Sequence, residues 1–317
     1  MNTGFAIYTI DQIEPLLDRR GVIEAVREAL VQHARGAVQS PMPGQLVFDD
    51  ARGDCHIKYG HLSGSPSFAV KIATGFRDNG RLGLPTGNGL VLLFDACTGA
   101  PLCLFQDQGW MTAWRTAAAT ALAVQCLAPD GKHRIGIIGT GPQARLTPEW
   151  IRELLPDASF LMNGRDPVRT RETAALCGAE PVSTVAELLA AAEVVVTATT
   201  SAEPLFSAAA VRPGTHVVAL GADGPEKQEL PVELFARAAH VVCDDIRQCA
   251  SLSDFGKAVD AGAIERRRAL TLGHVLGGDV TTPRLASDIT IVDLTGLAAQ
   301  DIAVATWFGT RLAETRC

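Results

Sequence analysis

The chain has 317 residues, 47% apolar and 20% charged, which suits about two domains of roughly 150 residues with a sizeable core. Twenty-eight Lys and Arg against 35 Asp and Glu give a net charge of −7 with no long basic run, which argues against a nucleic-acid scaffold. No stretch of about 18 apolar residues occurs, so no membrane span is expected. The charged positions Asp11, Glu14, Asp18, Arg19 and Arg20 do not fit a signal peptide. Residues 11–36 carry apolar side chains at three- and four-residue spacing and read as helix. Five β-rich runs follow, Gln45–Phe48, His56–Tyr59, Phe68–Thr74, Gly89–Phe94 and Pro101–Phe105, separated by Gly, Pro, Asp and Asn. They predict a mostly antiparallel sheet. Residues 111–127 are Ala-rich and predict a tightly packed helix.

From Arg134 the pattern changes. Ile135-Gly136-Ile137-Ile138 is a short apolar strand. Ser159–Met162, Val194–Ala198, His216–Leu220, His240–Cys243 and Ile289–Val292 are further strand candidates. Helical segments Arg169–Ala175, Thr184–Ala192 and Val232–Ala238 fall between them. This alternation predicts a Rossmann-type, doubly wound parallel sheet, and the closing segment 296–314 reads as a helix returning to the first domain. The expected fold class is therefore α/β, with a second, α+β domain. The expected division is 1–118 plus 300–317 for substrate binding and dimerisation, and 119–299 for the dinucleotide. The eight cysteines form no C-x-x-C pair and no zinc-ligand spacing, so no metal site is expected. Scattered thiols of this kind suit a reduced, cytoplasmic protein. Arg266-Arg267-Arg268 reads as a solvated helix end.

Gly139-Thr140-Gly141-Pro142-Gln143-Ala144 matches G-x-G-x-x-G/A and stands between a strand and a helix, the context that gives the motif meaning. Gly139 permits the tight turn, Gly141 lets a pyrophosphate approach the backbone, and Ala144 lets helix and strand pack closely. The alternative is a plain Gly-rich turn. An NAD-preferring domain places Asp or Glu about 20 residues downstream, on the adenosine ribose. Here the second strand ends Met162-Asn163-Gly164-Arg165-Asp166. Gly164 occupies the expected acidic position, and the Arg165 guanidinium suits a ribose 2′-phosphate. NADP(H) is therefore favoured over NAD(H), with Asp166 left as the residue that would serve NAD.

Several separated motifs resemble the ornithine cyclodeaminase/μ-crystallin family. They are Val70-Lys71, Gly83-Leu84-Pro85-Thr86 with Gly89-Leu90, Arg115-Thr116-Ala117-Ala118, and Gly139-x-Gly141-x-Gln143-Ala144. They continue with Gly221-Ala222-Asp223-Gly224-Pro225-x-Lys227-Gln228-Glu229-Leu230 and Asp293-x-Thr295-Gly296-Leu297-x-x-Gln300-Asp301. The resemblance spans nearly the whole chain. It implies a nicotinamide domain, a substrate domain whose sheets join a homodimer, and hydride transfer at the α-carbon of an amino or imino acid.

Such chemistry needs a carboxylate clamp and a proton carrier at nitrogen. Lys71 lies in a largely apolar run and requires an anionic partner; a substrate carboxylate is one, and a snorkelling strand lysine is the alternative. Arg115, near the start of an apolar helix, suits bidentate carboxylate binding, with an exposed ion pair as the alternative. Asp223 follows a strand at its carboxyl end and resembles the family's catalytic aspartate; an Asx-turn is compatible with that role. Lys71 and Asp223 are thus the catalytic candidates. Thr199, Thr200 and Ser201 follow another strand and are expected to line the cofactor with Asn163. Thr295-Gly296-Leu297 resembles the family's nicotinamide-proximal turn.

One departure concerns substrate choice. Many relatives carry Arg after the prolines near the first strand, where this chain has Pro43-Gly44-Gln45. It also has Lys58, where ornithine cyclodeaminases use an acidic residue nearby; a lysine repels ornithine's ammonium. Lys58 restores the missing cation or receives a second anionic group, and His56 is either a proton donor or a structural histidine. The expected function is NAD(P)H-dependent reduction of an α-imino acid, or the reverse dehydrogenation. The alternatives are ornithine cyclodeaminase, using catalytic NAD+, and a non-enzymatic μ-crystallin-like ligand-binding protein.

Overall fold

Short apolar runs between residues 38 and 106, broken by Gly, Pro and Asp, become strands of a seven-stranded sheet in the computed structural model, which describes residues 5–131 and 133–314. The strands are β1 (Ala6–Thr9), β2 (Val38–Gln39), β3 (Gly44–Phe48), β4 (Gly53–Leu62), β5 (Ser67–Phe76), β6 (Gly87–Asp95) and β7 (Pro101–Gln106). The path runs β1-β7-β6-β5-β4-β2, and β3 also pairs with β4. Only β1 pairs in parallel, with β7; every other pairing in this sheet is antiparallel. β1 escapes the sequence reading because four residues carry too little pattern to register without their partner.

The continuous helix expected over residues 11–36 is interrupted. Helix α1 (Ile10–Ile13) gives way to a 3₁₀ turn at Glu14–Leu16 containing Pro15, and Leu17 is extended. Helix α2 (Arg19–Ala34) then starts afresh, with Asp18 accepting from the Gly21 amide as its N-cap. Helix α3 (Trp110–Leu127) is Ala-rich and almost wholly buried.

The second half builds an eight-stranded sheet, parallel throughout. Its strands are β8 (Arg134–Ile138), β9 (Ser159–Asn163), β10 (Glu180–Pro181), β11 (Val194–Thr197), β12 (His216–Ala219), β13 (Ala238–Cys243), β14 (Ala269–Thr271) and β15 (Ile289–Asp293). Helices α4 (Pro142–Leu154), α5 (Pro167–Cys177), α6 (Val185–Ala191), α7 (Val232–Arg237), α8 (Ile246–Leu252), α9 (Asp254–Asp260) and α10 (Leu272–Leu276) connect them. The order is β10-β9-β8-β11-β12-β15-β13-β14. The chain leaves β8 for β9 on one side and returns to β11 on the other, so β8 and β11 flank the topological switch point where such sheets bind ligands. Buried Val195, Val217, Val241 and Ile291 pack with Leu188, Leu234, Phe235 and Phe255 in its core. Helix α11 (Ala298–Glu314) closes the described chain.

The chain separates into two units, Met1–Arg115 with Leu297–Cys317, and Thr116–Gly296. Within the first, α11 packs against α2 and covers one face of β4 and β5. Ser67, Ala69 and Lys71 alternate onto that covered face. No helix among the described residues is long and apolar enough to cross a membrane. None of the described cysteines is in a disulfide, and no group of three or more described His, Cys, Asp or Glu side chains is placed to hold a metal ion.

Candidate functional site

In the second unit, β8 runs straight into the glycine turn. Gly139 has φ +136, and a Cβ there would stand 2.5 Å from the Ala198 carbonyl oxygen at the end of β11. Both the dihedral and the close approach exclude a side chain. Gly141 is the N-cap of α4 and Pro142 its first residue. A Cβ on Gly141 would meet no atom within 4 Å, so open space lies over the helix N-terminus. Ala144 is fully buried. The N-terminus of a thirteen-residue helix with open space above it fits a pyrophosphate.

At the end of β9, Asn163 is buried; its carbonyl accepts from the Gly139 amide and its Nδ2 donates to the Val182 carbonyl. A Cβ on Gly164 would stand 2.5 Å from Thr140 Cγ2 and 3.0 Å from Thr170 Oγ1. The expected acidic side chain therefore has no room here. Arg165 is exposed. Asp166 caps α5, its Oδ1 accepting from the Val168 and Arg169 amides.

Two buried carboxyl groups shape the loops at the strand ends. Glu229 accepts from Thr197 Oγ1 (2.7 Å), the Thr199 amide (2.6 Å), Thr199 Oγ1 (2.8 Å) and the Gly221 amide (2.8 Å). Burial pushes its carboxyl up, while these donors pull the other way. It ties the loop after β11 to the loop after β12. Thr200 is exposed and Ser201 half-buried in the first of these loops. Asp244, following β13, accepts from the Thr295 amide and hydroxyl and from the Gly296 amide. Gln248 donates to Thr295 Oγ1 and the Gly296 carbonyl, fixing that turn. Leu297, next in the chain, is buried.

Asp223 stands in the loop after β12, two strands from β8. Its side chain is 46% exposed and its Oδ1 pairs with Lys227 Nζ at 2.5 Å. Lys227 is itself tied down, because Lys257 Nζ donates to its carbonyl.

In the first unit, three of the expected residues come together. Lys58 on β4 lies directly across from Lys71 on β5. Both are buried, and like charges in that register repel. The α11 side chain Asp301 answers them: its Oδ1 accepts from Lys71 Nζ at 2.8 Å and from Arg115 Nε at 3.0 Å. Gln300 Oε1 accepts from Arg115 Nη1 at 3.1 Å. Burial alone would raise the Asp301 carboxyl, but Lys71, Arg115 and Lys58 outweigh it and hold it below the usual range. Burial lowers Lys71 to about 7, with Arg115 and Lys58 acting the same way against Asp301. Asp107, buried near Lys71, is pushed up by burial. Lys71 thus has a chain carboxylate as partner where the sequence suggested a substrate one. His56 shares the face of Lys58 but pairs with Asp54, at 3.7 Å.

The sequence reading assigned no role to Glu229, Asp244, Gln248, Gln300 or Asp301. Three of them lie inside the quoted motifs. Asp244-Asp245, an acidic pair following an apolar strand, is the only local signal for the rest.

The ornithine cyclodeaminase/mu-crystallin family model matches residues 6–315. An uncharacterized cyclodeaminase of Sinorhizobium fredii is 35% identical over 303 residues, covering 93% of this chain and 91% of that protein. The structure of Thermococcus litoralis Δ1-pyrroline-2-carboxylate reductase in complex with NADH and L-proline superposes with a TM-score of 0.91 at 26% identity, covering 98% of each chain. An archaeal alanine dehydrogenase dimer with bound NAD gives a TM-score of 0.91 at 31% identity, covering 99% of this chain and 97% of that one. With a parallel dinucleotide-type sheet, a mostly antiparallel sheet that carries buried Lys58 and Lys71, and matches over almost its full length, the chain belongs to the ornithine cyclodeaminase/μ-crystallin family.

Proposed function

We propose that the protein is an NAD(P)H-dependent oxidoreductase of CH–NH bonds, reducing an α-imino acid to an L-amino acid or running in reverse. The observation that carries this is the buried gathering of Lys58, Lys71 and Arg115 about Asp301. Lys71, Arg115 and Lys58 together favour an anion beside them, and a carboxylate is an anion that a guanidinium and an ammonium both bind well. The coenzyme, when bound, supplies or accepts the hydride. Lys71 and Arg115 bind and orient the carboxylate, and Asp223, kept in place by Lys227, handles the proton at nitrogen. Gly139–Ala144 holds the pyrophosphate, with Asn163, Thr199, Thr200, Ser201 and Thr295–Leu297 shaping the rest of the coenzyme site. The relatives solved with NADH, L-proline and NAD support this reading. Its test is a screen of NADH and NADPH oxidation with pyrroline-2-carboxylate, piperideine-2-carboxylate, and oxo acids with ammonia or methylamine. Failure to turn over any of them would count decisively against a reductase.

The coenzyme reading favours NADP(H). Gly164 offers no carboxylate, Asp166 is engaged as a helix cap, and Arg165 extends into solvent. Arg165→Ala is expected to weaken NADPH binding about tenfold and NADH binding less than twofold. Equal losses for both would reverse the assignment.

Lys71 also sets a pH dependence. An anion binds its charged form, and the ammonium loses its proton as pH rises through about 7. Affinity for pyrrole-2-carboxylate, an unreactive planar analogue, should therefore fall by up to about tenfold per pH unit above that point. A constant dissociation constant from pH 6 to pH 9 would remove Lys71 from carboxylate binding.

The relative named a cyclodeaminase keeps a second reading in view. Lys58 beside Lys71 opposes a cationic substrate chain. Ammonia release from ornithine with catalytic NAD+ would overturn that preference, and tight coenzyme binding without turnover would favour a ligand-binding protein. Leu46, Val47 and Phe48, exposed on the sheet of the first unit, support a homodimer through that sheet, which sedimentation measures directly.

A further inference from the structure

Gln300, fully buried at the start of α11, carries a donor that the proposed mechanism leaves unused. Its Oε1 accepts from Arg115 Nη1. A guanidinium only donates, so the amide has one acceptable orientation, oxygen toward Arg115. The reversed amide would set two donors against each other. Nε2 is bonded to the same carbon as Oε1, so it is held beside the guanidinium. It is buried and has no hydrogen-bond partner. Buried donors in folded proteins are almost always paired, so one left over at a binding cluster points to a ligand.

The surroundings say which acceptor it takes. Lys58, Lys71 and Arg115 draw an anion to this spot, and the anion's oxygens are acceptors. A glutamate at position 300 would serve Arg115 equally well but would face an incoming carboxylate with like charge. A methionine would leave Arg115 Nη1 without this acceptor. Of the three, only the amide accepts on one side and donates on the other.

We propose that Gln300 Nε2 donates to the substrate's carboxylate beside Arg115, making Gln300 a substrate-binding residue that selects a carboxylate over a neutral group. This rests on the reading of the cluster as the substrate-carboxylate site. The test compares wild type, Gln300→Glu and Gln300→Met, each saturated with NADH, by calorimetric titration with pyrrole-2-carboxylate and pyrrole-2-carboxamide. Gln300→Met should weaken the carboxylate about tenfold. Gln300→Glu should weaken it about 100-fold and move preference toward the carboxamide, whose own NH2 can donate to the new carboxylate. NADH affinity should stay within about twofold in both variants. Carboxylate affinity unchanged in both would overturn the proposal, as would parallel losses of carboxylate and NADH, which a purely structural glutamine would give. Gln300→Met keeps the test decisive if the glutamate variant does not fold. A wild-type protein that binds no carboxylate would instead overturn the reading of the whole cluster.

Discussion

Asp301→Asn is expected to destabilise the protein by about 3–5 kcal/mol, the usual effect of removing one partner from a buried ion pair. Asp301 Oδ1 alone receives both Lys71 and Arg115, at 2.8 and 3.0 Å, and all three side chains are buried. Asparagine keeps the shape and an acceptor but removes the charge. Arg115 then has no anionic partner at that contact, and it cannot shed its proton. Lys71 can. Burial already sets it near 7, against an ordinary 10.5, so the folded protein binds this proton less well than the unfolded chain. Stability from this group therefore rises with pH between about 7 and 10.5. Losing Asp301 lowers Lys71 further and extends that rise to more acidic pH. The damage should be greatest below pH 7 and smaller above it, where the wild-type lysine is already neutral. Urea denaturation at pH 6 and pH 9 measures both quantities. A change below about 1 kcal/mol at both values would show that Asp301 is not the cluster's counter-charge.

Asp223→Asn should lower kcat by about a thousandfold while leaving NADH affinity within twofold, since a positioned general acid or base contributes roughly 10²–10⁴. Asparagine still accepts from Lys227, so the loop geometry is kept while the transferable proton is lost. Asp223 is well placed for such a role. Its loop follows β12 at the carboxyl end of the sheet, and its side chain is 46% exposed, which leaves it reachable. The neighbouring carboxylate Glu229 is fully buried and committed to four donors. Stopped-flow measurement of NADH oxidation separates the chemical step from binding. Near-normal rates would take Asp223 out of the proton transfer, and a matching loss of NADH affinity would make its role structural.

Local pattern carried the elements whose residues interact with near neighbours. Ile135–Ile138 followed by Gly139-x-Gly141 is legible because strand, turn and helix are consecutive and each leaves its own spacing. The parallel sheet follows from strands alternating with helices. The break between α1 and α2 was written in Pro15 and Asp18, two signals that the long apolar periodicity masked. β10, β14 and the short helices α8, α9 and α10 do not show in the sequence, because each depends on its packed neighbours more than on a period of its own.

The order of amino acids by itself determined the two sheet types and the glycine turn after β8, and it singled out Lys71, Arg115 and Asp223 as the candidates on which the proposed function rests. Tertiary structure alone decided what those side chains meet. Lys71 and Asp301 are 230 positions apart, and Thr199 and Glu229 are 30 apart. Contacts of that kind leave no periodic trace along the chain. The charge state of Lys71 depends on the burial that α11 and its neighbours impose, because desolvation is a property of the packed environment and not of the lysine.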